Sequence, residues 1–202
     1  MMIRQIPAVI LASASPRRRQ LLELAEIPCR VLIPGTDEQF PASLHPSRAA
    51  EHVANAKAKA ILDSPAYASD GYGSVILAAD TMVVLGDQIL GKPTDRGEAV
   101  SMLTQLSGKS HQVITGVCLM REDKTLTFHV QTTVHFKSLS PEVIERYVDN
   151  YAPYDKAGAY AIQEWIGLIG ITSIDGDYYN VMGLPVSRII TELEVFSRID
   201  HA

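Results

Sequence analysis

Short apolar runs alternate along the chain with stretches in which apolar residues recur every three or four positions. This pattern predicts strands and helices that cover one another's apolar faces, which is typical of an α/β fold. The predicted strands are residues 8–12, 29–33, 74–85, 88–90, 110–120, 125–137 and 167–173. The predicted helices are residues 15–25, 47–62, 94–106, 140–150 and 185–196. Loops are expected at residues 64–73 and 153–160, and a turn at residues 175–177.

Two pairs of these strands are predicted to form hairpins. Gly86 and Asp87 make a short turn before residues 88–90, and the polar residues 121–124 separate two longer strands. Alternating polar and apolar positions over residues 127–134 indicate a half-exposed antiparallel strand. Hairpins argue against a purely parallel, doubly wound sheet, so we expect a mixed sheet. At 202 residues the chain is predicted to form one domain, residues 1–202, with two lobes.

Composition and charge narrow the class of protein. With 47% hydrophobic and 20% charged residues, the chain has the usage of a globular protein. A formal net charge of -5 argues against sustained binding to long nucleic acid, which requires a broad basic face. The apolar stretch at residues 6–12 is too short for a signal peptide, and no run approaches the ~20 apolar residues of a membrane span. Cys29 and Cys118 lie far apart, which favours buried thiols over a disulfide. We expect a soluble cytoplasmic protein.

The first predicted helix begins with an unusual pattern of charge. Ser15 and Pro16 supply an N-cap and a proline in the first turn, and Arg17, Arg18 and Arg19 then crowd that turn. Cations there oppose the helix dipole unless an anion contacts both the arginines and the free N–H groups. The pattern therefore indicates a phosphate site, with a solvated cluster of surface arginines as the alternative.

The residues that could carry chemistry are oxygen donors and cations at the ends of predicted elements. The sequence contains no P-loop, dinucleotide-binding, zinc-protease or serine-hydrolase motif, and its six histidines lack ligand spacing. Asp80 directly follows a buried run, where the alternative to a functional carboxylate is a cap for Thr81. A triphosphate needs cations to neutralise it, and Mg²⁺ or Mn²⁺ needs carboxylate ligands. The candidate residues supply both kinds of group. They are Ser13, Ser15, Arg17, Arg18, Glu38, Lys57, Asp80, Lys92, Asp155 and Lys156.

Six segments, in the right order and with matching gaps, resemble the Maf family over nearly the whole chain. They are LASASPRRRQLL (11–22), AADTMV (79–84), GKP (91–93), LSGKSHQVITGV (106–117), DKAGAYAIQ (155–163) and IDGDYYNVMGLP (174–185). The resemblance implies a fold like that of inosine-triphosphate pyrophosphatases, an elongated mixed sheet in two lobes with a central nucleotide cleft, and a homodimer. It also implies metal-dependent hydrolysis between the α- and β-phosphates, a choice of bond that the residue types alone do not specify.

The same resemblance implies roles for individual residues. Asp80 is expected to take a proton from the attacking water and also to hold the metal, with Glu38 as the second metal ligand. Taken singly, turn chemistry would explain Ser13 and a solvated position would explain Lys57. The residues expected to hold phosphate are Ser13, Arg17, Lys57 and Lys92.

Three further positions resemble those of the dTTP- and UTP-cleaving branch of the family, namely Arg18, Thr81 and Gln163. A glutamine offers both a donor and an acceptor to a pyrimidine edge, and an unpaired buried polar group penalises the wrong base. Modified pyrimidine nucleotides are further candidate substrates. The sequence departs from the family pattern at Ala79, at Ala161 and at Glu164-Trp165, which replace small or glycine-rich positions. Trp165 could stack on a base or serve as a hydrophobic anchor.

Two other functions use the same residue types. A nucleotide-binding regulator of cell division would need the cations but no carboxylate that positions water. A phosphatase that removes the γ-phosphate would use the same groups with the substrate shifted by one phosphate. Release of pyrophosphate in the presence of Mg²⁺ or Mn²⁺ would separate the expected hydrolase from both.

Overall fold

A mixed sheet forms the centre of the fold in the computed structural model, which describes residues 8–71, 73–122 and 124–198. Within these ranges its seven strands are β1 (Val9–Ala12), β2 (Cys29–Leu32), β3 (Val75–Leu85), β4 (Gln88–Leu90), β5 (Ser110–Arg121), β6 (Lys124–Phe136) and β7 (Ile171–Asp175). Their order is β2-β1-β3-β5-β6-β7, with β4 paired to β3. β1 runs parallel to β2 and β3, whereas the β3–β4 and β6–β7 pairs are antiparallel. The prediction of a mixed α/β sheet is confirmed.

The helices begin where the sequence offers caps and prolines. They are α1 (Pro16–Leu24), α2 (Pro46–Leu62), α3 (Pro65–Asp70), α4 (Arg96–Leu106), α5 (Pro141–Tyr151), α6 (Trp165–Gly170), α7 (Tyr178–Met182) and α8 (Val186–Arg198). Ser15, Ser64 and Asp95 each accept a hydrogen bond from a backbone N–H in the first turn of the following helix. Among the described residues, no helix combines the length and the apolar character needed to cross a membrane.

Two predicted elements are wrong. The strand expected over residues 167–173 begins only at Ile171, because the run before it folds as α6. At Gly167, an added Cβ would lie 1.8 Å from the carbonyl oxygen of Ile162, so this close approach requires glycine. The loop expected at residues 64–73 contains α3, which Ser64 caps and Pro65 starts. The sequence analysis also missed α7, directly after the predicted turn.

The chain divides into two compact units, each with its own hydrophobic core. The first comprises the chain up to Asp80, Thr115–His129 and the chain from Gly183; the second comprises Thr81–Ile114 and Val130–Met182. In the first core, small residues of α2 such as Ala54 and Ala58 pack with residues of β1 and β3. In the second core, α4 and α5 pack with residues of β6, among them Phe136. A single domain of two lobes around a nucleotide cleft stays a prediction.

Candidate active site

Lys57 lies between two carboxylates in the first unit. Its ammonium nitrogen is 2.6 Å from Glu38 Oε1 and 2.7 Å from Asp80 Oδ1. Val53 and Ile61, one helical turn away on either side, are buried core residues of α2, so Lys57 lies on the buried face of that helix. Only 8% of its side chain is exposed, which excludes the alternative of a solvated surface lysine. The lysine therefore places a fixed positive charge between the two acids.

The position of Asp80 follows from β3. Residues 75–79 of this strand are all buried, and the strand leads directly into Asp80, whose side chain is 13% exposed. A carboxylate so withdrawn from water needs a compensating charge, and Lys57 supplies it. Glu38 lies in the segment after β2 and is 48% exposed, so it contacts solvent as well as Lys57.

Arg18 is the second buried cation of this unit. Its Nε donates to the carbonyl oxygen of Gly183 at 2.9 Å, and one terminal nitrogen donates to Ser13 Oγ at 3.3 Å. Burial lowers the pKa of Arg18, while the charges of Asp80 and Glu38 oppose that change. The carboxylates of Asp80 and Glu38 are thus close enough to Arg18 to stabilise its positive charge. The guanidinium stays protonated, because arginine loses its proton only far above neutral pH.

The turn between β1 and α1 holds the remaining predicted groups of the first unit. Ser13 is buried, and its Oγ also accepts from the backbone N–H of Ser15 at 3.1 Å, so the hydroxyl does have the turn role considered above. Arg17 is half-buried on the first turn of α1. Arg19 is exposed and pairs with Glu23 at 2.7 Å, so the arginine triplet divides into different environments.

The other predicted site residues belong to the second unit. Thr81 is half-buried directly after Asp80, whereas Lys92, after β4, and Gln163, before α6, are both exposed. The backbone N–H of Gly158 donates to the carbonyl of Gly91 at 2.9 Å, so the segments that carry Lys92 and Gln163 are joined. The structure thus brings Ser13, Arg18, Glu38, Lys57 and Asp80 together in one unit and places Lys92 and Gln163 on linked segments of the other.

The carboxylates suit a metal that arrives with its substrate. Oxygens of Glu38 and Asp80 both lie within 2.7 Å of one nitrogen, so a single cation can reach both acids. Among the described residues, no group of three or more His, Cys, Asp or Glu side chains forms a metal site. Two carboxylates are the donor set that Mg²⁺ uses when phosphate oxygens and waters complete its octahedron. The residues present therefore fit a divalent cation shared with a polyphosphate.

A second network of charges was missed by the sequence analysis. Lys156 is buried, with its ammonium 2.7 Å from Asp155 and 3.4 Å from Glu164. Asp155 and Lys156 were among the candidate residues, but Glu164 was noted only as a departure from the family pattern. Its other oxygen accepts a hydrogen bond from the hydroxyl of Tyr147 at 2.5 Å. For Tyr147 the sequence indicated only a position on the apolar face of a predicted helix.

Comparison with known proteins finds close relatives over almost the whole chain. A family model described as Maf-like protein matches residues 8–196. A protein of Parabacteroides distasonis named dTTP/UTP pyrophosphatase is 47% identical over 189 residues, which cover 93% of this chain and 95% of the relative. A protein of Bacillus cereus with the same name is 44% identical over 195 residues, which cover 96% of this chain and 98% of the relative.

The fold is also similar to that of a solved structure. The Ham1 protein of Staphylococcus aureus superposes with a TM-score of 0.51 at 14% sequence identity, covering 93% of this chain and 98% of that chain. At this identity the likeness concerns the fold alone. It confirms the prediction of an inosine-triphosphate-pyrophosphatase-like α/β fold.

Proposed function

The chain belongs to the Maf family, and from this premise we propose that it is a hydrolase that cleaves dTTP and UTP to the nucleoside monophosphate and pyrophosphate. Relatives that match 92–96% of its length carry the name dTTP/UTP pyrophosphatase. The observation that carries the proposal is the arrangement of Lys57 and Glu38 around Asp80, which lies within β3. It combines a withdrawn carboxylate with a neighbouring cation, as attack of water on a polyphosphate requires.

In the proposed mechanism Asp80 acts as the general base. Its carboxylate, beside Lys57, accepts a proton from a water molecule within ~3 Å as that water attacks phosphorus and the bond between the α- and β-phosphates breaks to release pyrophosphate. Glu38 and Asp80 would hold Mg²⁺ or Mn²⁺, which supplies positive charge to the phosphate oxygens when bound. Lys57 contributes a cation whose position is fixed by its contacts, so it needs little reorganisation when negative charge develops.

The remaining residues are proposed to bind substrate. Ser13, Arg17, Lys57 and Lys92 hold the phosphates, and the N-terminus of α1 adds backbone N–H donors. Arg18, Thr81 and Gln163 recognise the pyrimidine base. The exposure of Gln163 supports this role, because its amide can contact a ligand without first breaking away from a core.

Four further properties extend the proposal. The metal is Mg²⁺ or Mn²⁺, as the pair of carboxylates supports, and the homodimer rests on the family resemblance. A cytoplasmic location is supported by Cys29 and Cys118, which are both free thiols. Modified pyrimidine triphosphates are proposed as additional substrates, which would make the protein a house-cleaning enzyme.

The test is a panel of normal and modified triphosphates, incubated with Mg²⁺ or Mn²⁺ and with products resolved by chromatography. We expect dTTP and UTP to yield monophosphate and pyrophosphate, with no turnover after chelation of the metal. Nucleoside diphosphate and orthophosphate would instead identify a phosphatase that removes the γ-phosphate. Binding of nucleotide without any product would identify a non-catalytic regulator.

A further inference from the structure

The carboxylate of Glu164 ties three segments of the second unit together. Its Oε2 accepts from the hydroxyl of Tyr147 on α5 at 2.5 Å, and its Oε1 lies 3.4 Å from the ammonium of Lys156. Lys156 is buried, with 9% of its side chain exposed, and Tyr147 is completely buried. A partly buried carboxylate with both oxygens engaged has little freedom to rotate.

The anchor provided by Tyr147 is itself rigid. Its ring stacks on that of Tyr151, with ring centres 5.0 Å apart, and packs in the core with α4 and α6. Burial raises the pKa of Tyr147, and the hydrogen bond to Glu164 raises it further, so the hydroxyl stays protonated and donates. The Tyr147–Glu164 bond is therefore a fixed connection between α5 and the start of α6.

Glu164 does not use its side chain for a local purpose. It occupies the N-cap position of α6, yet its side chain makes no capping hydrogen bond. The carboxylate reaches instead to α5 and to Lys156. Because the side chain of Glu164 bonds to these groups instead of capping the helix, it fixes the start of α6 relative to α5 and Lys156.

Gln163 lies between two immobilised neighbours. On one side Ile162 is buried, with Gly167 packed so closely on its carbonyl that no side chain fits there. On the other side Glu164 is held by Tyr147 and Lys156. The backbone at Gln163 is thus held from both ends while its side chain stays exposed.

We propose that Glu164, held by Tyr147 and Lys156, is a positioning residue that orients Gln163 and thereby sets the preference for pyrimidine bases. The proposal rests on the role given to Gln163 under the proposed function. Base selection by an amide depends on where its donor and acceptor point, and small displacements of a positioned group weaken it. Glu164 contacts no base in this scheme; it acts through the backbone of its neighbour.

The experiment uses Glu164→Gln and Tyr147→Phe in the full-length protein. The first removes the charge that attracts Lys156. The second removes the hydroxyl that donates to Glu164 and also accepts from the backbone N–H of Ala161. Steady-state kinetics with dTTP, UTP and dGTP would report base preference. Inhibition by inorganic tripolyphosphate, which has no base, would report phosphate binding alone. Glu145→Gln, an exposed carboxylate on the same helix as Tyr147, is the matched control.

We expect both variants to raise KM for dTTP and UTP about tenfold, the effect of roughly 1.4 kcal/mol of binding free energy, with a smaller change in kcat. The dTTP-to-dGTP ratio of kcat/KM should fall, whereas inhibition by tripolyphosphate should stay within about twofold of the unmodified protein. The double variant should be more impaired than either single variant, because the two substitutions remove different contacts of the same carboxylate. Glu145→Gln should leave every value unchanged.

An unchanged dTTP-to-dGTP ratio in folded variants would overturn the proposal. So would a parallel loss of tripolyphosphate inhibition, because that result means a general structural role. Thermal unfolding identifies a variant that fails to fold, in which case the other variant decides. If the unmodified protein turns over neither dTTP nor UTP, the proposed function fails. Equilibrium binding of dTTP and dGTP to the unmodified and Glu164→Gln proteins would then test the positioning role by itself.

Discussion

At the scale of single residues, Asp80 combines two properties that a general base requires. It is withdrawn from solvent, with 13% of its side chain exposed, and it is kept beside a cation by the 2.7 Å contact to Lys57. The ammonium of Lys57 compensates the charge of this carboxylate without exposing it to bulk water.

Asp80→Asn is expected to abolish turnover and to leave nucleotide binding largely intact. The asparagine retains a carbonyl oxygen that can accept from Lys57, so the fold persists, but it cannot take a proton from water. A fall in kcat of about a hundredfold or more is expected from loss of a general base. Asp87→Asn, in the exposed β3–β4 turn, is the control. Near-normal turnover by Asp80→Asn would remove this residue from the mechanism.

The sequence predicts those residues of the candidate site whose positions follow from the local pattern of a strand or a helix. Asp80 follows a buried run of a predicted strand, and Lys57 lies four residues from both Val53 and Ile61 on a predicted helix, so local pattern locates both residues. The contact between Tyr147 and Glu164 was not predictable, since it joins α5 to α6 through a hydrogen bond between side chains. Such a bond depends on tertiary packing, which leaves no periodic pattern in a single sequence.

At the scale of elements, one error falls where a short apolar run is compatible with either a helix or a strand. Residues 167–170, expected at the start of a strand, form part of α6, because periodicity does not separate short buried helices from short strands. The predicted strands around residues 110–120 and 125–137 agree with β5 and β6 within a few residues. In β6 the alternation over residues 127–134 specifies both the strand and its exposed face, whereas β5 is predictable as a long, largely buried apolar run.

Gly116→Ala should lower the stability of the first unit by separating α2 from β5. An added Cβ would lie 2.3 Å from the backbone carbon of Ala50 and 2.4 Å from the backbone nitrogen of Glu51, so the helix would have to move. Overpacking of this kind costs roughly 1–3 kcal/mol, or more where the neighbour is backbone. Thermal unfolding followed by circular dichroism would measure the loss.

Gly35→Ala is the matched control for this substitution. An alanine Cβ at that position would have no neighbour within 4 Å, so the melting temperature should change little. If both variants melt at the same temperature, the close approach at Gly116 is not a constraint on the packing of α2.

At the scale of the whole molecule, the long strands connect the two units along the chain. β3 begins in the first unit and continues in the second after Asp80, and β5 and β6 also contribute to both. The class of fold followed from the sequence, because hairpins and helical stretches are local. The strand order β2-β1-β3-β5-β6-β7 did not, since it depends on pairing between strands distant in sequence.

The stability of the whole protein should also depend on pH through His111. This residue is buried, and its Nε2 lies 2.7 Å from the hydroxyl of Tyr160, while no hydrogen-bond partner for Nδ1 lies in the described part of the chain. Burial, with a smaller effect of the charge of His135, lowers the pKa of His111 to about 4. Between an unfolded pKa of about 6.5 and this value, the unfolded chain binds a proton that the folded protein does not.

Folding should therefore weaken as the pH falls from about 6.5 towards 4, at pH 5 by about 2 kcal/mol from this residue alone. His111→Gln keeps a polar partner for Tyr160 but does not titrate, so its free energy of unfolding, although lower at pH 7, should fall less between pH 7 and pH 5. Urea unfolding at both pH values measures the difference. His52→Gln, on the exposed side of α2, should retain the slope of the unmodified protein. Equal slopes for His111→Gln and the unmodified protein would mean that other groups cause the acid sensitivity.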